Sequence, residues 1–252
     1  MIFCLKFAKV ALKRYWGIAA LLVFWQVGVT WSGLNSIVLP PPTAVVADIV
    51  SNPTIYVENS VYTLELALVG LLLGTVFGTA MAVGAWSSRV LRGMFLPLAL
   101  FLSSIPVVAI IPVIARLLGY NILTVGAVVV IISFFPAFIF TSTGLKAAPA
   151  GSGDLFKVLG AGRWSRFAAL ALPSSVPSWM TGLRIAAPPA VLAAMLGEYL
   201  IGKDGLGYLF RSAAADFNVE RALGVSVLAT IVSVLSFGAA RAAEEIVSER
   251  FR

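Results

Sequence analysis

Ser152–Pro177 reads SGDLFKVLGAGRWSRFAALALPSSVP, the longest polar interval between the hydrophobic segments of the chain. Ser152 and Asp154 are each suited to cap a helix start. Leu155, Phe156 and Leu159 follow at i, i+1 and i+4, on one helical face. Gly160 and Gly162 punctuate that short helix. A second one carries Trp164, Phe167, Ala168 and Leu170, and Pro173 and Pro177 are expected to stop it. Lys146, Lys157, Arg163 and Arg166 put four basic residues in or just before the stretch. Two short amphipathic helices joined at a glycine form a docking surface when they hang between membrane spans. The plainer alternative is an interfacial loop.

Composition says that membrane spans surround it. Of 252 residues, 60% are hydrophobic and 12% charged, against about 25% charged in an ordinary soluble domain. The chain reads as an all-α integral membrane protein. It has no histidine and one cysteine, Cys4, which excludes a disulfide within the chain and histidine-based metal sites or nucleophile triads. A net charge of +7 could point to nucleic acid; in a membrane protein it points instead to basic residues collected on the cytoplasmic side. No nucleic-acid partner is expected.

Working outward gives about six transmembrane helices. Tyr15–Trp31 reads as an uncleaved first span behind the basic segment Met1–Arg14. Gly33–Val57 leaves the membrane and holds Leu39-Pro40-Pro41-Pro42, with Thr43 as the expected cap of a short helix through Val50. Ser60–Trp86 is the second span, and Gly70, Gly74 and Gly78 lie on one of its faces, suited to close helix contact. Met94–Leu118 is a third span interrupted by Pro97, Pro106 and Pro112, with Ser103 and Ser104 before the middle proline. A minimal turn at Gly119-Tyr120-Asn121 leads to Ile122–Phe140, which contains Ser133 and Pro136. After the docking stretch come a fifth span, Ser178 to about Leu200, with Arg184, Pro188-Pro189 and Glu198, and a last one, Arg221–Ala240.

An even number of spans puts both termini on one side. Assigning that side to the cytoplasm places 13 of the 18 Lys and Arg inside and leaves Lys203, Arg211 and Arg221 outside, with Arg116 and Arg184 in spans. This is the positive-inside pattern, and it makes the docking stretch cytoplasmic. Enzyme chemistry has no footing: the 11 acids are scattered, and metalloprotease, nucleophile-elbow and phosphate-loop motifs are missing. Mid-span polar residues are mostly Ser and Thr, unlike the ionisable sets of ion-coupled carriers. A pathway without an energy-coupling site, joined to a docking surface, implies that energy arrives from another polypeptide.

Asp154–Pro173 resembles the cytoplasmic "EAA" loop of binding-protein-dependent ABC importer permeases, in which E-A-A is followed by three residues, G, nine residues, I, one residue and L-P. Asp154-Leu155-Phe156 holds the first triplet, Gly160 the glycine, Leu170 the isoleucine position and Leu172-Pro173 the end. Leu39-Pro40-Pro41-Pro42-Thr43, Ile105-Pro106 through Ile111-Pro112, Leu159-Gly160-Ala161, Thr181-Gly182-Leu183-Arg184 and Gly205-Leu206-Gly207-Tyr208-Leu209 resemble the nitrate/sulfonate/taurine branch.

The resemblance implies a type I importer (MetI-like) arrangement with a coupling-helix loop between spans four and five. The chain would be a single permease domain over 1–252: an N-terminal span and outer segment (1–57), five core spans (58–240) including the coupling loop 152–177, and a cytoplasmic tail (241–252). It would sit in the bacterial inner membrane, with a second permease copy, a homodimer rather than a heterodimer. Two cytoplasmic ATPases, which hold the ATP and Mg, and a periplasmic solute-binding protein would complete the assembly; this chain itself binds no cofactor. The implied solute is small and anionic, of the sulfonate, nitrate or taurine kind, and the resemblance to the branch leaves bicarbonate, small carboxylates and thiamine-precursor pyrimidines open as well. Asp154, Leu155, Phe156, Leu159, Gly160, Arg163, Leu172 and Pro173 would couple to the ATPase. Glu198 and Gly205, Leu206, Gly207 and Tyr208 would form an outer gate. Asp-Leu-Phe in place of Glu-Ala-Ala makes the docking helix bulkier and calls for a wider groove.

Proline in a helix interior frees a carbonyl, so Pro188-Pro189 is expected to break the fifth span and line the route, with Ser103, Ser104 and Ser133 as hydroxyls; a kink that only shapes packing is the alternative. Arg184 and Glu198 are too far apart to pair, and Arg184 is expected to snorkel or anchor the loop. Arg116, near the outer end of span three, either draws an anionic substrate or snorkels. Two other classes fit less well. A stand-alone channel or facilitator would need no motif-matched loop, and a non-transporting scaffold would need no pathway.

Overall fold

The computed structural model describes the backbone of residues 2–33 and 35–250, with side chains from residue 16 onward. The basic side chains of Met1–Arg14 and Arg252, counted above toward orientation, lie outside the described residues. Among those described, the secondary structure is helical throughout. In order come α1 (Ile2–Ser32), α2 (Pro42–Ser51), α3 (Pro53–Ser87), α4 (Arg89–Ser104), α5 (Val107–Leu118), α6 (Ile122–Gly144), α7 (Ser152–Val158), α8 (Arg163–Arg166), α9 (Leu172–Ile201), α10 (Leu206–Ala215) and α11 (Val219–Ser248).

Four helices are long and apolar enough to cross a membrane: α3, α6, the continuous helix Arg163–Ile201, and α11. α4 and α5 pass the same test together but are bent by 106°, and the described apolar part of α1, Trp16–Ser32, is shorter. Among the described residues, four or five of the expected six spans stand by length and composition, and the first is described with side chains only from Trp16. The interruption expected in span three is a sharp corner. Ile105 is extended, at φ −80° and ψ 126°, because the ring of Pro106 excludes helical geometry from the residue before it. Pro97 and Pro112 stay within α4 and α5.

Small residues set the distance between the central helices. A Cβ on Gly74 would stand 2.6 Å from the Val130 carbonyl oxygen, and one on Gly78 would stand 2.6 Å from that of Phe134. α3 and α6 therefore touch backbone to backbone, as the glycine stripe predicts. A ladder of Ala186, Ala187, Ala190, Ala193 and Ala194 on α9 packs with Ala67 and Leu71 of α3, Ile111 of α5, Val128 and Val129 of α6, and Val232 of α11. The opposite faces carry exposed Leu68, Leu72, Val76 and Phe77 on α3, as lipid-facing surfaces do.

Two proline expectations fail here. Pro173 and Pro177 do not stop the second short helix. α8 runs through a π-helical turn, Phe167–Ala171, into α9, and the Leu172 N–H donates to the Phe167 carbonyl five residues back. The wider turn accommodates the Pro173 ring, which would clash with the carbonyl four residues back in a regular helix. Nor does Pro188-Pro189 break α9, which is continuous from Leu172 to Ile201. Its neighbours Ala186, Ala187, Ala190 and Val191 are buried on either side, and that packing outweighs the lost hydrogen bonds. The cap of α2 also differs. Pro41 holds the N-cap position without a side-chain hydrogen bond, and the Thr43 N–H instead meets Gln26 Oε1 at 3.3 Å.

Candidate functional site

α7 begins after Gly151, whose φ of 80° turns the chain out of α6. Ser152 does not cap it; its hydroxyl donates to the Pro149 carbonyl at 2.5 Å. Asp154 does not cap it either. It pairs across one turn with Lys157 Nζ at 2.8 Å, and that ammonium holds the Asp154 carboxyl below the usual carboxylate range. The helix ends in a Schellman motif. Gly160 adopts φ 69°, its N–H donates to Lys157 O at 3.0 Å, and the Ala161 N–H donates to Phe156 O at 2.9 Å. Local bonds alone hold this segment.

Its apolar face is uncovered except at Phe156, which is half-buried. Leu155 is 57% exposed, Leu159 71% and Val158 86%. Val158 is the side chain that the sequence reading missed, although it lies one turn from Leu155 and beside Leu159. Arg163 lies over the Trp86 ring at 5.8 Å, and Trp86 meets Phe167 at 5.2 Å. The base of the stretch is thereby fastened to the end of α3. Leu172 and Pro173 belong to the start of the long helix, with Leu172 partly exposed.

The second region lies at the far end of α9, about 48 Å from Arg166 along the helix at 1.5 Å per residue. Glu198 is 1% exposed. Its Oε2 accepts from Thr63 Oγ1 at 2.8 Å and from the Gly207 N–H at 3.0 Å. The Leu206 N–H donates to Thr63 Oγ1 at 2.8 Å, and the Gly205 N–H to Asn59 Oδ1 at 2.9 Å. One carboxylate, one hydroxyl and one amide thus hold the start of α10 against α3 and α9. Gly205 sits at φ 93° with the Glu198 carboxyl where a Cβ would be, and a Cβ on Gly207 would run into the Met195 carbonyl. Tyr208 stays exposed beside the Arg211 guanidinium, 5.4 Å from its ring.

Asn59 and Thr63 were not singled out from sequence. Two polar side chains one turn apart at the polar end of an apolar span are the signal that could have found them. Arg184 is also better partnered than expected. Nη1 lies 2.8 Å from Glu244 Oε2 on α11, the Thr181 hydroxyl donates to the other Glu244 oxygen at 2.6 Å, and the guanidinium lies 5.7 Å from the Phe237 ring. A third cluster joins α2, α3 and α11: Asp48 meets Arg221 at 3.1 Å and accepts from the Tyr56 hydroxyl at 2.6 Å.

The five candidate pathway residues do not gather around one cavity. Ser103 and Ser104 are exposed at the α4–α5 corner and donate back to the Leu100 carbonyl. Ser133 is buried against Gly74, and Pro188 and Pro189 are half-buried within α9. Arg116 is exposed in the last turn of α5.

The family model for the binding-protein-dependent transport system inner membrane component matches residues 74–252. The chain belongs to that family. It is a permease subunit of a binding-protein-dependent ABC importer and a multi-pass membrane protein, and the family implies ATPase and binding-protein partners. The formylaminopyrimidine transport permease protein ThiX of Halalkalibacterium halodurans is 32% identical over 227 residues, covering 90% of each chain. The riboflavin transport system permease protein RibX of Chloroflexus aurantiacus is 29% identical over 201 residues, 79% of this chain and 75% of its own. The nitrate import permease protein NrtB of Synechocystis sp. is 26% identical over 231 residues, 86% of this chain and 82% of its own. The permease therefore has relatives outside the nitrate/sulfonate/taurine branch as well as within it. The fold is similar to that of a chain in the inward-facing MetNI methionine ABC transporter, with a TM-score of 0.67 over 77% of this chain and 96% of that one, at 18% identity.

Proposed function

We propose that this permease subunit imports a small N–H-bearing heterocycle of the aminopyrimidine kind, and that α7 is the element through which a cytoplasmic ATPase drives it. The uncovered face of Leu155, Val158 and Leu159 carries the coupling reading. An apolar face on a helix held only by its own backbone bonds and a glycine turn fits a partner's groove. Movement of α7 would pass through the turn at Gly160–Gly162 into α8, which the π turn joins to α9 as one continuous helix. The positive-inside bias supports a cytoplasmic position for this end, and two permease copies with two ATPases would complete the core. The exposed Ser103 and Ser104 at the α4–α5 corner are available to a route between the copies.

For the solute, similarity to the formylaminopyrimidine permease supports the aminopyrimidine class over an anion. Among the described residues, Arg184 and Arg221 are paired with carboxylates, and Arg211 donates to the carbonyls of Tyr199 and Gly202. An anion would find those cations engaged and a buried carboxylate, Glu198, near the gate.

The test is co-purification with the ATPase, with and without Gly160→Asp, followed by uptake in proteoliposomes supplied with the binding protein. Wild type is expected to hold the ATPase in equal copies and to import formylaminopyrimidine, and the variant to lose the ATPase. A wild type that purifies alone and conducts solute without ATP would replace this reading with a facilitator. Import of nitrate with none of formylaminopyrimidine would overturn the solute class.

A further inference from the structure

Trp86, Arg92, Leu96, Phe138 and Lys146 line a small cleft of about 30 Å³ between the end of α3, the first half of α4 and the end of α6. Arg92 and Leu96 stand one turn apart on α4. Arg163 of α8 joins the group through the indole, its guanidinium 5.8 Å from the Trp86 ring. Cations from α4, from the segment after α6 and from α8 thus gather around one tryptophan.

None of the three has an anion to answer it. Among the described residues, the ion pairs join Lys157 to Asp154, Arg184 to Glu244, Arg221 to Asp48 and Arg241 to Glu245. The reason lies in the sequence. No Asp or Glu occurs between Glu65 and Asp154, a stretch that covers most of α3 and all of α4, α5 and α6, and Asp154 is already engaged by Lys157. Arg92, Lys146 and Arg163 are all exposed, so a ligand can reach them. Like charges crowded at one spot repel, and an anion shared among them replaces that repulsion with attraction.

The surroundings of the cleft say which anion. At ~30 Å³ for each water, its free space takes one oxygen of a phosphate and leaves the rest of the group at the mouth, among the exposed cations. Leu96 and Leu100 then continue the Arg92 face of α4 at one-turn intervals, and both are exposed. A free phosphate would use the cations alone, whereas an anion carrying hydrocarbon chains uses the cations and the leucines together. Trp86 belongs to the residue type that settles at the headgroup level of a bilayer, and basic pockets between spanning helices suit anionic headgroups.

We infer that this cleft binds the headgroup of an anionic phospholipid, its phosphate held by Arg92 and Lys146 and its chains running along Leu96 and Leu100. The inference goes beyond the importer reading and takes from it only that this end of the bundle faces the cytoplasmic leaflet. Arg163 adds its charge from the same indole. The lipid therefore fastens the base of the Ser152–Pro177 stretch to α3, α4 and the end of α6, in a place where the chain itself supplies no carboxylate to do so.

The permease–ATPase complex in neutral detergent is titrated with phosphatidylglycerol and with phosphatidylcholine, and the retained lipids are counted by native mass spectrometry. Arg92→Gln/Lys146→Gln is expected to bind phosphatidylglycerol about tenfold more weakly or worse, at about fivefold for each cation removed, and to bind phosphatidylcholine as wild type does. Equal binding of phosphatidylglycerol by wild type and this variant would overturn the site. Arg89→Gln removes a neighbouring cation that does not line the cleft; a loss as large as that from Arg92→Gln alone would overturn the site in favour of a diffuse basic surface. Inorganic phosphate that displaces the lipid at equal concentration would overturn it in favour of a free anion. Loss of the ATPase from the paired variant, with lipid binding intact, would give the cluster to a protein partner instead. Should the paired variant fail to assemble, Arg92→Gln decides, at about fivefold. A complex that keeps its ATPase without preferring phosphatidylglycerol removes this inference and leaves the importer reading. A permease that prefers phosphatidylglycerol but never holds the ATPase keeps the site and removes the coupling element.

Discussion

The two ends of the Arg163–Ile201 helix are built on opposite principles. At one end α7 is apolar, exposed and held by bonds between residues no more than five apart. At the other, Glu198 is buried, polar and held by Thr63, 135 positions away in sequence. The first end adds little to the permease's own stability and is free to spend its apolar surface on a partner. The second is interlocked with the fold, so anything that moves Glu198 also moves α10. The two ends of one helix thus differ sharply in how they are held.

The largest effect is expected at the stiff end. Gly207→Leu would drive a side chain into the Met195 carbonyl and the Tyr199 N–H. It should abolish the monodisperse permease on fluorescence-detected gel filtration; a well-folded variant would break the claim that α10 is locked by close backbone approach. Glu198→Ala strands the Thr63 hydroxyl and the Gly207 N–H in a buried site and should cost about 3 kcal/mol, read as a lowered thermal midpoint in detergent. A loss no greater than that of a surface substitution would make the two ends alike.

Arg184→Leu tests the middle of the helix. It leaves Glu244 with only the Thr181 hydroxyl, at a half-buried position between α9 and α11, and about 1–2 kcal/mol is expected. Rescue by Glu244→Leu in the same chain would sharpen the assignment, since removing both charges leaves neither buried alone. The smallest stability effect belongs to α7. Leu159→Glu should change the thermal midpoint by no more than about 0.5 kcal/mol while abolishing ATPase co-purification. A marked destabilisation without loss of the partner would show that α7 serves the fold rather than an interface.

Much of the soft end was legible in the sequence. The helix, its glycine stop and its apolar face depend on neighbours within one or two turns, and the EAA-like spacing of Asp154, Gly160 and Pro173 identified the family. The glycine stripe on α3 was equally legible, because a residue without a Cβ has one main use inside a bundle. Proline was read correctly as a break at Pro106 but misled at Pro173 and at Pro188-Pro189. At Pro173 a π turn widens the backbone, and at Pro188-Pro189 flanking alanines bury the helix from both sides. The reading of Arg184 as a snorkelling or loop-anchoring residue did not anticipate that it is paired. Its partner, Glu244, is 60 residues away, in a segment that reads as a charged tail.

The sequence by itself determined that this chain crosses a membrane, that it carries a short amphipathic helix stopped at a glycine, and that it belongs with importer permeases. Those properties follow from composition, short-range spacing and local backbone chemistry. Only the tertiary structure decided that Asn59, Thr63, Glu198 and Gly205–Gly207 form one network, and that one carboxylate oxygen within it is buried without a hydrogen-bond partner. The physical reason is range. A helix start or stop is settled by bonds to residues four or five positions away, whereas a buried carboxylate is settled by whichever donors the packed helices bring to it.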